Sequence, residues 1–394
     1  KNYKSVLLSP DETGQRAMSH QEFNQAIRNG LGGEKFHLML FFSCLTNMVE
    51  VGYGLQDLTR YIIGSEDEIR IVNEPLGMYQ IRGIEPEKLI GALTVNPDAQ
   101  AYDLGKATID SFINQYSTNN VISGDNQQIT AKHPASLALV DCDKYGKLVE
   151  SLDMLARVLI DKMHQEVSGK KVLRGLHIAL TSSQNYPSFL NLEYFDLKDL
   201  LKNLSMYSAD SQVKELCQRA IDILTNELVL YERHTENNHS NGVSIFLPIF
   251  QVPANIYNSH RTMYSASNFS RDTAWGDLID VYRARMTEKY TEILVDEYEK
   301  ACLNADVELI GRLDSKISWA LRKDAQDGKY SEIKRYLEIV EKIDENQIPT
   351  QFLLFLQETL RGTEKKQQAG KNGDNLLKTV EVLLVSKGGS IPDA

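Results

Sequence analysis

An apolar segment near the amino terminus constrains the fold of this 394-residue chain more than any other feature. Residues 36–42 read FHLMLFF, follow Gly32 and Gly33, and end at Ser43 and Cys44. A run of this length between turn residues is typical of a strand that is buried on both faces of a parallel sheet. Parallel strands need long crossover connections, which helices usually supply. The segment therefore predicts an α/β fold.

Signals for a helix and a strand on either side of this segment support the α/β prediction. Ser19 and Glu22 have the spacing of a capping box, which predicts a helix that begins at Ser19 and closes at Gly30. After Cys44, apolar residues at helical spacing predict a helix over residues 46–60, and residues 61–64 return to a strand. The order helix, buried strand, helix, strand is typical of a sheet flanked by helices.

The rest of the chain predicts an α+β region followed by a helical domain. The apolar periodicity predicts helices near residues 104–116, 148–159, 197–206 and 211–231, a polar loop at 119–128, strands at 172–180 and 241–248, helices over 290–385, and a loop at 370–373. We therefore expect three segments, at residues 1–130, 131–288 and 289–394. The first carries the cysteine-bearing part of the sheet.

Charge and hydropathy exclude two classes of partner. The formal net charge is -11, whereas proteins that bind nucleic acid usually cluster an excess of Lys and Arg. No run of about 18 consecutive apolar residues occurs, so no membrane span is expected. The start at Lys1 lacks the apolar core of a signal peptide and lacks an initiating Met, which favours a processed or truncated product.

The four cysteines are spread singly along the chain. No C-x-x-C pair and no Cys/His cluster with metal-ligand spacing occurs, so neither a disulfide framework nor a zinc site is expected. Cys142, Cys217 and Cys302 are interpreted as buried, inert thiols. Cys44 differs because it lies where a strand ends and a helix begins, which is where open α/β sheets collect catalytic groups.

Two interpretations of Cys44 remain open from its position. Unpaired N–H groups at a nearby helix N-terminus would favour a thiolate and could also bind an oxyanion, which are the two requirements of acyl transfer. The alternative is a buried structural cysteine. Glu50, six residues further on, is interpreted as structural rather than as an acid or base.

Longer sequence segments resemble a known family. Residues 41–53 and 61–68 resemble the nucleophile strand, the following helix and the next strand of the clostripain family of caspase-like cysteine peptidases, and residues 136–141, 195–197 and 242–248 resemble further segments in the same order. The resemblance covers residues 5–285. It implies a caspase-like sheet flanked by helices and a Cys/His dyad with Cys44 as the nucleophile.

The resemblance also implies a second piece of polypeptide. In the family the histidine lies on the strand before the helix that begins here at Ser19, so we expect it, and part of the sheet, on an upstream segment or light chain that precedes Lys1. Maturation by cleavage between histidine and cysteine would give such a heavy chain. The histidines present offer no substitute: His37 precedes Cys44 by seven residues, about 23 Å in an extended strand, and His133, His177, His234 and His239 would need an unpredicted fold.

One position departs from the family pattern. Relatives that select Arg or Lys before the scissile bond usually carry Asp two residues before the nucleophile, and here that residue is Phe42. The residues expected to bind substrate are Phe42, Ser43, Ser65, Glu66 and Asp67. Basic specificity would rest on Glu66, Asp67 or Glu68; alternatively the pocket prefers an apolar side chain, or the chain is an inactive caspase-like scaffold.

The remaining expectations come from the family alone. The chemistry requires no cofactor, and calcium is possible only by resemblance, since no D-x-[DN]-x-[DN]-G loop occurs. The expected partner besides the upstream segment is a peptide or protein substrate. The resemblance favours secretion or the bacterial cell envelope, with the cytoplasm as the alternative.

Overall fold

The part of the chain that the computed structural model describes comprises residues 7–10, 17–67, 69, 72–73, 80–81, 85–118, 120–122, 128–130, 135–187, 193–236, 238–252, 254–342, 357 and 376–383. Two compact units are distinguished, Lys1–Ala284 and Arg285–Ala394. The division into residues 1–130, 131–288 and 289–394 stays a prediction.

The elements follow one another in this order. The strands are β1 Leu7–Pro10, β2 Ala17–Ser19, β3 Phe36–Leu40, β4 Thr59–Gly64, β5 Val72–Asn73, β6 Gln80–Ile81, β7 Asn120–Ile122, β8 Gln128–Thr130, β9 Ser136–Asp141, β10 Asn185–Pro187, β11 Glu193–Asp196, β12 Val229–His234 and β13 Ser244–Phe246. The helices are α1 His20–Leu31, α2 Val49–Leu55, α3 Pro86–Val95, α4 Ala101–Thr118, α5 Tyr145–His164, α6 Glu166–Ser182, α7 Leu197–Tyr207, α8 Ser211–Ile223, α9 Ala254–Tyr264, α10 Asn268–Asp272, α11 Trp275–Leu303, α12 Val307–Gln326 and α13 Ser331–Lys342. Residues 376–383 are also helical.

The main sheet has four strands among the described residues, in the order β12-β9-β4-β3. β3 and β4 are parallel, whereas β9 is antiparallel to both β4 and β12. A smaller antiparallel sheet joins β10, β11 and β13. The predicted α/β fold, with a central sheet flanked by helices and a helical C-terminal region, is confirmed.

The core lies on both faces of the main sheet. On one face α4 contributes Ile109, Phe112 and Ile113, which pack with the strand residues Ile63 and Leu139. On the other face Ile62, Ala138 and Val140 are fully buried as well. Burial on both faces explains why β9 reads as a continuous apolar segment without alternation.

β3 is less buried than its sequence predicts. It is an edge strand of the described sheet, since it pairs with β4 alone there. Phe36 is 44% exposed, His37 is exposed, and residues 38–40 are half-buried. The prediction that this strand is buried on both faces is therefore contradicted within the described residues.

Two predicted elements beyond residue 131 are wrong. The strand predicted at residues 172–180 belongs to helix α6, where the buried positions are Val172, Leu173, Leu176, Ala179 and Leu180. Those positions have the period of a helix and not of a strand. The helix predicted over residues 211–231 is wrong only at its end: a π-helical segment, Leu224–Leu228, continues α8, and residues 229–231 belong to β12, which pairs with β9.

The helices predicted at residues 19–30, 104–116, 148–159 and 197–206 are confirmed, whereas the one predicted over residues 46–60 is shorter, since α2 spans only Val49–Leu55. Ser19 caps α1 with both bonds of the capping box, and Gly32 closes the helix with φ 60°. Helices α4, α5 and α7 contain the segments predicted at 104–116, 148–159 and 197–206. The loop predicted at 370–373 lies outside the described residues. The loop predicted at 119–128 is wrong where it is described, because Asn120–Ile122 form β7 and Gln128 begins β8, which pairs with it. No described helix is both long enough and apolar enough to span a bilayer.

The second unit is helical as far as it is described. The rings of Tyr298 and Tyr336 lie 5.1 Å apart between their centroids and join α11 to α13. Arg335 of α13 adds ion pairs to Asp296 and Glu299 of α11, each at 2.5 Å. These contacts account for the helical domain that the apolar periodicity predicts.

Candidate active site

Two loops meet at one edge of the main sheet. β3 and β4 run in parallel, so their carboxyl ends lie side by side, and Cys44 follows β3 while Ser65, Glu66 and Asp67 follow β4. The Leu45 N–H donates to the carbonyl of Asp67 at 3.3 Å, and the N–H groups of Thr46 and Asn47 donate to the carbonyl of Ser65 at 2.9 and 3.0 Å. The structure therefore brings together the loops that carry the predicted site residues.

The helix after Cys44 begins later than predicted. α2 starts at Val49 and not at residue 46, and it ends at Leu55. The backbone N–H groups of residues 45–47 bond to the loop after β4, so they are not the unpaired donors of a helix N-terminus. The expectation that helix α2 presents its N-terminus to the thiol is therefore wrong, because these three bonds hold the chain in a loop.

The thiol of Cys44 is half-buried and contacts the backbone of Ile69. The Ile69 N–H donates to Cys44 Sγ at 3.2 Å, and the carbonyl oxygen of Ile69 lies 3.8 Å from the sulfur. Cys44 also packs against the apolar cluster that α4 forms with the sheet. Leu45 has φ 53°, a left-handed conformation that is uncommon for leucine and turns the chain sharply after the cysteine. The sulfur is thus neither sealed in the core nor fully solvated.

A third segment supports the Cys44 loop from the other side. The Ser244 N–H donates to the Asn47 carbonyl at 3.0 Å, and Asn47 Nδ2 donates to the Gly242 carbonyl at 2.5 Å. The Gly242 N–H in turn donates to Glu66 Oε1 at 2.6 Å. Gly242 has φ 101°, and a Cβ there would lie 3.0 Å from the Cβ of Ala138, so only glycine fits without strain.

Sequence reasoning missed Asn47 and Gly242 as parts of the site. The sequence predicts a strand at residues 241–248, which the Asn241-Gly242 turn precedes, and it places Asn47 within the helix predicted over residues 46–60. The signal in the sequence is the Asn241-Gly242 turn, and the sequence does not indicate which residues this turn contacts.

Glu66 lies in a buried pair of carboxyl groups. Its side chain is 1% exposed, and that of Asp196 is fully buried. Burial raises the pKa of Glu66 well above its ordinary range, and the charge of Asp196 raises it further. Burial also raises the pKa of Asp196, to about 6, although its carboxylate accepts the N–H of Asp199 at 2.7 Å and that of Asn241 at 2.5 Å. Burial and the neighbouring Asp196 thus favour the protonated form of Glu66, and its buried side chain is not open to a substrate cation.

The other predicted binding residues differ in accessibility. Asp67 is half-buried, and its Oδ2 accepts Asn238 Nδ2 at 2.8 Å. Ser65 is buried, and its hydroxyl donates to the Asp67 carbonyl at 3.0 Å. Phe42 is 51% exposed. Ser43 is half-buried, and its carbonyl accepts the hydroxyl of Thr46 at 3.1 Å. Phe42, Ser43 and Asp67 are therefore the predicted residues that a ligand can reach.

Three described histidines are poorly placed to act on Cys44. His239, by contrast, is exposed and follows Asn238, whose side chain donates to Asp67. His234 Nδ1 lies 3.0 Å from the Thr235 carbonyl oxygen, and its strand β12 is three positions from β3, roughly 14 Å at the usual strand spacing. His177 Nδ1 lies 3.0 Å from Tyr282 Oη. His37 sits near the opposite end of β3 from Cys44. The side chains of His20 and His133 lie outside the described residues.

None of the four cysteines forms a disulfide, and two of them are inaccessible. Cys142 and Cys217 are buried, and burial raises the pKa of both thiols, for Cys217 to about 12. Cys302 is half-buried in α11, as Cys44 is in its loop. Among the described residues no cluster of three or more His, Cys, Asp or Glu side chains could hold a metal ion.

Glu50 joins α2 to strand β13. Its Oε1 accepts the Phe246 N–H at 3.0 Å, and burial raises the pKa of its carboxyl from 4.5 to about 7. Its carboxyl group interacts electrostatically with three buried tyrosines, Tyr264, Tyr194 and Tyr145. The side chain has the surroundings of a structural group.

Glu50 makes the stability of the chain depend on pH. Below about pH 4.5 the carboxyl is protonated in the folded and the unfolded chain, so its contribution to stability is fully present. As the pH rises to about 7 the unfolded chain releases the proton first, and that contribution is lost. We expect the free energy of unfolding of Glu50→Gln, relative to the parent, to rise by about 3 kcal/mol across this range.

Denaturant unfolding at a series of pH values measures this difference. Glu87→Gln is the control, because Glu87 is exposed on α3 and its replacement should shift the curve by less than about 0.5 kcal/mol at every pH. Parallel curves for Glu50→Gln and the parent would contradict the assignment.

The comparisons with known proteins agree on one family. A family model described as "Clostripain family" matches residues 2–282, more than half of the chain. No match to a curated protein was found.

Solved structures with a similar fold are cysteine proteases. A B. fragilis cysteine protease has 16% identity to this chain and a TM-score of 0.46. The match covers 68% of this chain and 97% of the protease chain. A clostripain from Bacteroides thetaiotaomicron in complex with a peptide inhibitor has 20% identity and a TM-score of 0.41, covering 67% and 98%. A secreted C11 cysteine protease from the same species has 20% identity and a TM-score of 0.44, covering 66% and 61%.

Proposed function

Because this chain belongs to the clostripain family, we propose that it is a cysteine endopeptidase in which Cys44 is the nucleophile. The observation that carries the proposal is the half-buried thiol at the edge where β3 and β4 end, with a backbone N–H directed at its sulfur. Thiolate character and partial access are the properties that distinguish reactive cysteines from structural ones. Cys142 and Cys217 lack both properties.

The reaction is acyl transfer through a Cys/His dyad. A histidine takes the thiol proton, Sγ attacks the scissile carbonyl carbon, and the same imidazolium protonates the amine that leaves. Water then hydrolyses the thioester and restores the thiol. No cofactor takes part in these steps, and calcium dependence remains possible through the family alone.

The histidine is contributed by a segment that precedes Lys1. Two observations support this assignment. His177 and His234 bond to other groups, and His37 lies near the opposite end of β3 from Cys44. β3 is also an apolar edge strand, and such edges are normally covered by another strand or segment.

The upstream histidine implies how the chain matures, and the family indicates where the enzyme acts. Cleavage between the histidine and cysteine segments would leave this chain as a heavy chain, with the upstream piece or light chain bound along β3. The family favours a secreted or envelope-associated enzyme, with a cytoplasmic one as the alternative. The natural substrate is a peptide or protein.

Asp67 and Phe42 determine the preference for the residue before the scissile bond. A buried substrate guanidinium needs a carboxylate partner. Glu66 is buried and burial raises its pKa, whereas Asp67 is half-buried, so Asp67 supplies the charge that relatives place at the position of Phe42. The preference is basic but weaker than in relatives with Asp, and an apolar preference set by Phe42 is the competing outcome.

Cleavage of a peptide mixture by the full-length gene product tests the proposed function. We expect internal cleavage after one class of residue, with loss of cleavage after alkylation by iodoacetamide. Mass spectrometry of the products identifies the residue before each cut. If no peptide is cut and no peptidyl electrophile labels the protein, the chain is an inactive caspase-like scaffold and the proposal fails.

Phe42→Asp tests the assigned preference. The change restores a carboxylate at the position usual in relatives, so we expect the ratio of kcat/KM for an Arg substrate to that for a Leu substrate to rise at least about tenfold. Phe36→Asp is the matched control, since it adds the same charge near the other end of β3, where the side chain is 44% exposed. An unchanged ratio in Phe42→Asp would remove residue 42 from the pocket.

A further inference from the structure

The surroundings of Cys44 raise the free energy of a thiolate. Its side chain packs against an apolar cluster that includes Ile63, Ile69 and Ile109. Apolar surroundings disfavour the charged form of a thiol, because water cannot solvate it. A nucleophilic Cys44 therefore needs a hydrogen-bond donor at the sulfur.

The donors that the sequence suggests do not serve this purpose. Helix α2 begins five residues after Cys44, and the N–H groups of residues 45–47 donate to the carbonyls of Asp67 and Ser65. The N–H of Ile69, by contrast, donates to Sγ at 3.2 Å. The carbonyl of the same residue is 3.8 Å from the sulfur, a weaker position for a neutral S–H donor.

We infer that the backbone N–H of Ile69 is a catalytic group that stabilises the Cys44 thiolate. The inference rests on the proposed function, in which Cys44 is the nucleophile. The N–H keeps its proton throughout. Its role is to hold charge on sulfur before attack and after the thioester is hydrolysed.

The position of this N–H is fixed by bonds between the two loops. Leu45, Thr46 and Asn47 bond to the segment just before Ile69, as described above. Within that segment the Asp67 N–H donates to Ser65 Oγ at 3.1 Å, which closes a tight turn. The Ile69 side chain is buried in the same apolar cluster as Cys44. Donor and sulfur are therefore set against each other before substrate arrives.

Alkylation of Cys44 by iodoacetamide measures the thiolate without any peptidase step. The S–C bond forms, the C–I bond breaks, iodide leaves, and the thiol proton passes to solvent. In a Cys302→Ala background, Ile69→Pro removes the N–H, whereas Ile69→Val keeps it along with most of the side chain. We expect the midpoint of the rate–pH curve to move up by about one pH unit in Ile69→Pro, with an about tenfold lower rate at neutral pH. Ile69→Val should follow the parent.

A second measurement on the unmodified backbone covers the case in which Ile69→Pro does not fold. In protein labelled with ¹⁵N-isoleucine, the Ile69 amide proton should shift downfield with pH, with the same midpoint as the alkylation rate. Cys44→Ala should abolish that shift. An amide signal that does not titrate, or equal alkylation curves for folded Ile69→Pro and Ile69→Val, overturns the inference. Failure of peptide cleavage with a normal amide titration would instead overturn only the proposed function.

Discussion

Cys44→Ala is expected to lower kcat/KM for peptide hydrolysis by at least about 1,000-fold in the full-length gene product. Alanine removes the atom that forms the acyl-enzyme, and no other described cysteine lies in the loops that follow β3 and β4. The loss in the free energy of unfolding should stay at about 1 kcal/mol, since the side chain is half-buried and its removal breaks only its contacts with the Ile69 backbone and the adjoining apolar side chains. Steady-state kinetics and denaturant unfolding measure the two effects separately.

Cys302→Ala is the matched control for this experiment. Cys302 is the other half-buried thiol, and it lies in α11 rather than at the sheet edge. Its replacement should leave kcat/KM within about twofold of the parent. Equal losses in the two variants would mean that the assay reports on thiol removal in general and not on Cys44.

Gly52→Ala is expected to reduce the free energy of unfolding by about 3 kcal/mol at any pH. A Cβ at position 52 would overlap Cζ, Cε2 and Oη of Tyr145, far inside van der Waals contact. Tyr145 is fully buried and begins α5, so its ring cannot move aside without shifting that helix. Because α2 follows the Cys44 loop directly, activity should fall as well.

Gly54→Ala separates this overlap from the general effect of alanine in a helix. Gly54 lies on the same helix, and its Cβ would meet only the end of the Asn24 side chain, at 3.0 Å. Alanine also favours the helix by about 0.5–1 kcal/mol. We expect Gly54→Ala to change the free energy of unfolding by less than about 1 kcal/mol in denaturant melts. A similar loss in both variants would refute the steric explanation.

The sequence predicts those parts of the fold that depend on local chemistry. Ser19 and Glu22 form their capping box, the apolar run that begins at Phe36 gives a strand, and the amphipathic pattern around Leu148 gives helix α5. Each of these rests on the spacing of a few neighbouring residues. The position of Cys44 after a strand follows in the same way.

The parts that could not be predicted depend on contacts distant in sequence. The helix predicted over residues 211–231 extends too far, because residues 229–231 belong to β12 and pair with β9. The chain after Cys44 stays a loop up to Met48 because the carbonyls of Ser65 and Asp67 accept its N–H groups. The bond between Glu66 and Gly242 joins residues 176 positions apart, and no local pattern indicates it.

The proposed peptidase function depends most on attack of the substrate by the sulfur of Cys44. Its most direct test is to treat the full-length gene product with a peptidyl electrophile and to map the adduct by mass spectrometry. If Cys44 is the nucleophile, one adduct should form per chain, and it should lie on Cys44. Its formation should parallel the loss of activity, and excess peptide substrate should prevent it. Complete loss of activity with Cys44 unmodified would contradict that prediction.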